Sequence, residues 1–439
     1  MMGSLKKAFA EMDFVILGAA VALTTFGILS IYSSGLTAEG IHVSNEYIKQ
    51  IVWAITGLFL LAIISLIDYQ QMKDYSPFIY VFFLLLILFV RFFGRTVNGA
   101  KSWIGLFGDY GIQPSEFMKL ATILFLAQYL SNSEHRSSFR RLLVSFAIIL
   151  VPVLIIVSQS DMGTALVFFP IFLCMVYIAG LDRRYVLFIL LVIISVAVLT
   201  ILPLWEKYIL KAPTRFLFVF YQAPYLFYLL GVSAVICGLS IWGWLSFKKK
   251  YYFWIAYGSL LFFASIFIAA GARSALKEYQ IMRLIVFLDP SIDPRGSGWN
   301  ILQSVTAIGS GGILGKGFLM GTQSHYRYLP QQSTDFIFAI IAEEWGFIGG
   351  FFVFSLYYLL LRHCTTLIKT AHDSYAAYVV AGVIGMIGFH FLINAGMAMG
   401  IMPVTGIPLF FLSYGGTSLW TAMIAVGLLL GISARRYRT

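Results

Sequence analysis

Asp335 follows Ser333-Thr334 and directly precedes Phe336-Ile337-Phe338-Ala339, so it stands at the mouth of an apolar run. There it can act as an N-terminal helix carboxylate, or desolvation can raise its pKa toward general-base range. The polar segment leading into it carries Lys316, His325 and Arg327. Glu343 and Glu344 follow, Glu343 two turns below Asp335 on a helix. They either line the same cavity or bond an intramembrane cation. Glu116 and Lys119, spaced i, i+3, can pair on one helix face, as a packing bond or as part of a site. Asp161 opens another apolar run, with the same choice between capping and function. Gly309-Ser310-Gly311-Gly312-Ile313-Leu314-Gly315-Lys316-Gly317 lacks the GxxxxGK[ST] spacing, although glycine-rich backbone beside a lysine can cradle a phosphate. Lys101-Ser102-Trp103 offers an indole for sugar stacking or for interface anchoring. His390 and Asn394, at i and i+4, suit interhelical hydrogen bonds better than a metal.

The elements that position these groups must lie in lipid. Of 439 residues, 60% are hydrophobic and 11% charged, with a mean hydropathy of +0.88. No water-facing surface can be assembled from that material, which excludes a soluble enzyme, a nucleic-acid binder and a disordered scaffold. The net charge of +11 then reads as membrane orientation. Cys174, Cys237 and Cys364 fit no metal spacing or disulfide framework and read as small buried hydrophobes.

An all-α polytopic protein follows, with spans at about 14–34, 48–67, 76–93, 115–130, 139–158, 162–180, 185–204, 226–246, 251–271, 335–361, 375–399 and 406–431. Ser115 is the expected cap of the 115–130 run. The first span has no small-residue cleavage site and is expected to remain as an anchor. With both termini cytoplasmic, every inside segment carries basic residues: Lys6 and Lys7, Lys73, Arg136 with Arg140 and Arg141, Arg183 with Arg184, Lys248–Lys250, Arg362 with Lys369, and Arg435, Arg436 and Arg438. The exception in length is the outer loop 272–334, where Asp289-Pro290-Ser291-Ile292-Asp293-Pro294 marks irregular backbone and Trp299–Ser304 is amphipathic. These residues alone leave an enzyme and a transporter both open.

Longer strings narrow the choice. Met402-Pro403-Val404-Thr405-Gly406-Ile407-Pro408-Leu409-Phe410-Phe411-Leu412-Ser413-Tyr414-Gly415-Gly416-Thr417-Ser418 closely resembles the signature of the SEDS family (shape, elongation, division and sporulation). So do Asn98-Gly99-Ala100 with Trp103, Gln113-Pro114-Ser115-Glu116 with Lys119, Ser160–Ala165, and Thr334-Asp335-Phe336 with Ala342-Glu343-Glu344. Ala307–Gly312, Gly315-Lys316-Gly317 and Gly321-Thr322-Gln323 are similar to the RodA-like branch rather than the FtsW-like division branch. Members typically have ten spans, so the resemblance implies one SEDS domain over 1–439, with an inserted hairpin at 222–271 and the extracytoplasmic loop 272–334. Two local departures are Ser102 where a basic residue usually precedes the tryptophan, and Gln331-Gln332 where relatives often carry an acidic–basic pair.

The resemblance implies a peptidoglycan glycosyltransferase of the bacterial plasma membrane that polymerises lipid II during cell elongation. Its implied partners are a class B penicillin-binding protein and other membrane proteins of the elongation complex. Asp335 is the residue the likeness makes essential, as base toward the acceptor hydroxyl. Lys119, Lys316 and Arg327 are candidates for the leaving pyrophosphate, with Glu116, Asp161, Trp103, Lys101 and Gln323 around the substrate. No ligand set demands a cofactor, although a divalent cation, magnesium or manganese, could share the charge stabilisation. The rival readings are a lipid II flippase, which missing inverted repeats disfavour, and a scaffold, which leaves the membrane-depth charges unexplained.

Overall fold

The computed structural model describes residues 12–37, 39–97, 99–107, 110–210, 217–276 and 278–436. Lys6, Lys7, Asn98 and Arg438, used in the topology and motif arguments, lie outside the described residues.

Helices occupy the apolar runs: α1 (Phe14–Ser34), α2 (Glu46–Leu66), α3 (Tyr69–Phe93), α4 (Pro114–Asn132), α5 (Ser138–Ser158), α6 (Met162–Ile178), α7 (Arg183–Trp205), α8 (Ala223–Phe247) and α9 (Lys250–Ala275). After these come α10 (Glu278–Leu288), α11 (Ser297–Gly311), α12 (Thr322–His325), α13 (Ile337–Thr370), α14 (Ser374–Ala398) and α15 (Gly416–Ser433). Ten helices among the described residues are long and apolar enough to cross a membrane, so this is a multi-pass membrane protein. The remaining two expected spans are helices as well: α4, which carries Glu116 and Lys119, and the 17-residue α6.

The chain forms two compact units, Met1–Leu181 with Gln303–Thr439, and Asp182–Leu302. In the first, α15 packs on α2 and α4, α14 on α4, α6 and α13, and α13 on α1. Small residues allow close approach: a Cβ on Gly385 of α14 would stand 2.6 Å from the Pro170 carbonyl oxygen of α6. In the second unit α8 and α9 pair and α9 packs on α7. There Tyr257 Oη donates to Arg184 O at 2.9 Å.

Four expectations need correcting. The last helix starts at Gly416, not near 406, because residues 402–415 are irregular despite their apolar character. Ser115 does not cap α4; Gln113 is the N-cap and Pro114 fills the first helical position, where its missing N–H costs nothing. The 272–334 segment is largely helical, holding α10, α11 and α12, and α11 absorbs Gly309–Gly311. Finally, the connection after α3 forms a three-stranded antiparallel sheet, β1 (Arg95–Val97), β2 (Ala100–Phe107) and β3 (Tyr110–Ile112). Val97 pairs with Ala100 across Gly99 at φ +83°, and Asn-Gly is a strong two-residue hairpin signal.

Helix α13 breaks at Gly346 (φ +63°, ψ −157°), a region essentially reserved for glycine. Straight helix would send the Phe347 and Ile348 amides to Glu343 O and Glu344 O. Instead Phe347 N donates to Gly312 O at 2.9 Å and Ile348 N to Ile313 O at 3.2 Å. The released carbonyls accept Lys316 N at 3.0 Å and Gly317 N at 2.9 Å. The kink thus exchanges helical bonds for bonds to the glycine-rich loop, leaving these backbone groups satisfied. Gly346→Ala should cost about 1–3 kcal/mol from backbone strain alone and lower the melting temperature in detergent. Gly18→Ala, whose Cβ meets nothing within 4 Å, should not; equal melting of the two variants would overturn this account of the kink.

Candidate functional site

Residues 407–413 are mostly buried and make no regular structure, so their backbone groups need partners from side chains. Asn394 Nδ2 donates to Ile407 O at 2.8 Å, and His390 Nδ1 lies 2.8 Å from Pro408 O. The Tyr357 hydroxyl donates to Phe410 O. Gln50 Nε2 donates to Ser413 O at 3.1 Å, and Gln50 Oε1 accepts from Gly415 N at 3.2 Å. Ser413 Oγ accepts from Leu409 N at 2.8 Å.

The same segment grips the turn before α13. Ser413 Oγ donates to Thr334 O at 2.5 Å, and Tyr414 N to Ser333 O at 2.8 Å. Asn394 Nδ2 also donates to Asp335 O at 2.9 Å. Asp335 is half-buried, and a Cβ on Gly406 (φ +72°) would lie 3.7 Å from its Oδ2. The N-cap of α13 is Phe336, so Asp335 stands one residue outside the position from which side chains ordinarily cap.

Glu116 and Lys119 pair as their spacing suggests, Nζ to Oε1 at 2.8 Å, with both side chains buried. Lys119 Nζ is also 2.9 Å from His390 Nε2 and 5.2 Å from the Phe410 ring centroid. Phe410 stacks on His390 with 3.7 Å between centroids. Asp161 caps α6, accepting from Thr164 N at 3.2 Å and Thr164 Oγ1 at 3.0 Å. It also accepts from Gln113 Nε2 at 2.7 Å, and Gln113 N donates to Thr417 Oγ1 at 3.3 Å, which joins the starts of α4, α6 and α15. The capping alternative for Asp161 is therefore realised, within a wider network.

The other candidates stand apart from this cluster in their bonding. Lys101 donates its backbone N–H to Gln159 O at 3.0 Å and its Nζ to Phe92 O at 2.7 Å. Trp103 lies on β2 against Gly111 of β3. Glu343 Oε1 gathers four donors: Lys316 Nζ at 2.7 Å, Thr322 N at 2.9 Å, Thr322 Oγ1 at 3.0 Å and Gln323 N at 3.0 Å. Only the lysine of the glycine-rich stretch reaches this carboxylate; the amides that do belong to Thr322 and Gln323 of α12. The loop amides of Lys316 and Gly317 go to the backbone carbonyls of Glu343 and Glu344. Glu344 accepts from Ser33 Oγ. Its Oε1 is 4.0 Å from His325 Nε2, and burial pushes the His325 imidazole below its ordinary pKa against the opposing pull of Glu343. Arg327 is exposed at φ +56° and lines an open groove with Thr37, Ile41, Val43 and Tyr326.

Sequence spacing missed the contact between His390 and Lys119, which are 271 residues apart, and the parts played by Gln50, Tyr357 and Ser413. A glutamine within an apolar run was the available signal for Gln50. Among the described residues no three His, Cys, Asp or Glu side chains are grouped to hold a metal ion. Glu343→Ala removes the acceptor of four donors and should cost about 3–5 kcal/mol, as expected for breaking a buried charge pair from one side. Thermal unfolding in detergent checks this; a wild-type melting temperature would show that these bonds do not hold the loop.

Comparison with known proteins identifies the family and the fold. The profile of the FtsW/RodA/SpoVE family, described as "Cell cycle protein", matches residues 13–225 and 229–438. Peptidoglycan glycosyltransferase RodA of Treponema pallidum (strain Nichols) is 48% identical over 98% of this chain and 99% of its own. Stage V sporulation protein E of Bacillus subtilis (strain 168) is 32% identical over 96% of each. A chain from a solved peptidoglycan synthase complex, described as coordinating polymerization and crosslinking, superposes with a TM-score of 0.68 at 25% identity, covering 98% of this chain and 99% of that one. Rod shape determining protein RodA of Thermus thermophilus shares the fold with a TM-score of 0.60 at 22% identity, over 98% of each chain. With the fold and nearly the whole length matched, this chain belongs to the FtsW/RodA/SpoVE family of cell cycle proteins.

Proposed function

We propose that the protein is a peptidoglycan glycosyltransferase that polymerises lipid II into β-1,4 glycan strands for cell elongation. The observation that carries this reading is the shared anchorage of a half-buried carboxylate and a buried lysine. Asp335 and Lys119 are both tied to residues 402–415, Asp335 through its own turn and Lys119 through His390. The likeness to the peptidoglycan glycosyltransferase RodA of Treponema pallidum and to a chain of a peptidoglycan synthase complex supports the same activity.

In this mechanism the donor is a growing glycan on polyprenyl pyrophosphate, and the acceptor is the 4-hydroxyl of a lipid II GlcNAc. Asp335 removes the hydroxyl proton as the acceptor oxygen attacks the anomeric carbon. The α-linked pyrophosphate departs from the opposite face, so the new bond is β and no enzyme nucleophile is needed. Lys119 stabilises the charge that develops on the leaving group from a site screened from water. Lys316, whose ammonium meets Glu343 and Thr322, is a second candidate for that task. Arg327, exposed beside an open groove, could meet the pyrophosphate or sugar of an arriving substrate. Basic residues in alternate connections favour a plasma-membrane topology with both termini cytoplasmic and Asp335 on the outer side. The synthase-complex likeness supports a class B penicillin-binding protein as partner.

The test incubates purified protein and its matched penicillin-binding protein with labelled lipid II and resolves the product on a glycan-ladder gel. Asp335→Asn of equal folded yield should lose about 100-fold or more of polymerisation, the usual range for a general base. Polymer from both proteins would return Asp335 to a structural part. No polymer from the wild type would sink the polymerase reading and bring lipid II translocation in vesicles to the front.

A further inference from the structure

His390 on α14 has both ring nitrogens engaged, and the mechanism above assigns neither of them a task. Nδ1 lies 2.8 Å from Pro408 O, and Nε2 lies 2.9 Å from Lys119 Nζ. A backbone carbonyl can only accept, so Nδ1 carries the proton and Nε2 turns a lone pair toward the ammonium. The ring cannot rotate away, because it stacks on Phe410 at 3.7 Å with planes 16° apart. Phe410 is itself held through its carbonyl by Tyr357.

This arrangement has a consequence for Lys119. A lysine ammonium is a compact charge on a flexible stem with three donors that can swing. Here one N–H is taken by Glu116 Oε1 at 2.8 Å on the lysine's own helix. A second is taken by His390 Nε2 on α14. Two acceptors on different helices fix the direction of the third N–H, and among the described residues Lys119 has no third acceptor. Replacing the imidazole acceptor by a second carboxylate would hold the lysine equally well, but would add a negative charge that repels an anionic leaving group.

We infer that His390 is a positioning residue: its Nδ1-protonated tautomer holds the Lys119 ammonium so that the remaining N–H is presented to the leaving pyrophosphate. This rests on the part given to Lys119 in the proposed function.

The two ring nitrogens can be tested separately. An asparagine amide reaches about as far as Nδ1, so His390→Asn can keep the Pro408 bond while leaving Lys119 without its acceptor. A glutamine amide reaches about as far as Nε2, so His390→Gln can restore that acceptor. Each variant, with Lys119→Ala beside it, is assayed on lipid II with the penicillin-binding protein partner, and its melting temperature is measured. The expected result is a folded His390→Asn, its melting temperature lowered because a buried ammonium loses an acceptor, with kcat lowered about tenfold or more and KM changed less than about threefold, the pattern of an interaction made in the transition state. His390→Gln should recover most of kcat. If His390→Asn does not fold, His390→Gln decides: near wild-type kcat supports the acceptor role, and a folded protein as slow as Lys119→Ala overturns it. Loss of activity in step with melting temperature in both variants also overturns it, in favour of packing. Lys119→Ala separates the two layers of the reading. Full activity there removes the lysine from the reaction, whereas an inactive Lys119→Ala beside a fully active His390→Asn overturns the positioning role alone.

Discussion

Backbone that leaves regular geometry inside a protein surrounded by lipid must find its hydrogen bonds within the protein, and the rest of this structure is arranged around that constraint. Residues 402–415 carry the cost. Their amides and carbonyls cannot pair with one another in a helix, so Asn394, His390, Tyr357, Gln50 and Ser413 supply partners from four separate segments. Each of these polar side chains would be expensive in an apolar bundle without such a partner. Together the two costs cancel, and the segment is locked in a conformation no helix or strand could provide.

The break in α13 obeys the same rule with a different solution. At Gly346 the missing bonds go to another stretch of backbone, Gly312 to Gly317, rather than to side chains. That places the loop's lysine and its Thr322 and Gln323 amides over Glu343. The glycine-rich stretch that looked in sequence like an anion cradle gives its amides to backbone carbonyls instead, and only its lysine reaches the Glu343 carboxylate. Lys316 and Lys119 are built in alike, each meeting one carboxylate and one further acceptor, Thr322 Oγ1 for Lys316 and His390 Nε2 for Lys119.

The sequence was informative wherever the physics is local. Hydropathy located the helices because span length is a property of a continuous run, and the i, i+3 pair of Glu116 and Lys119 follows from helix geometry. It misplaced the start of α15 because Leu409-Phe410-Phe411-Leu412 is as apolar as a span, although those residues are buried by protein rather than lipid. It overlooked the Asn-Gly hairpin between β1 and β2, whose signal is turn chemistry rather than hydropathy. The kink at Gly346 had no local signature, since a glycine in an apolar helix usually continues it. Nor could spacing reveal that Lys119 meets His390, a contact that exists only once α4 and α14 pack.

One helix touches both groups given chemical tasks. His390 and Asn394 lie one turn apart on α14, about 6 Å along its axis. Asn394 holds the backbone of Asp335 together with Ile407, and His390 holds Lys119 together with Pro408. Adjacent residues of the irregular segment are thus pinned at adjacent turns of the same helix, with the carboxylate's turn on one side and the ammonium on the other. The spacing of Asp335 and Lys119 therefore depends on the rise of α14 and on the packing of α4 and α13 against it.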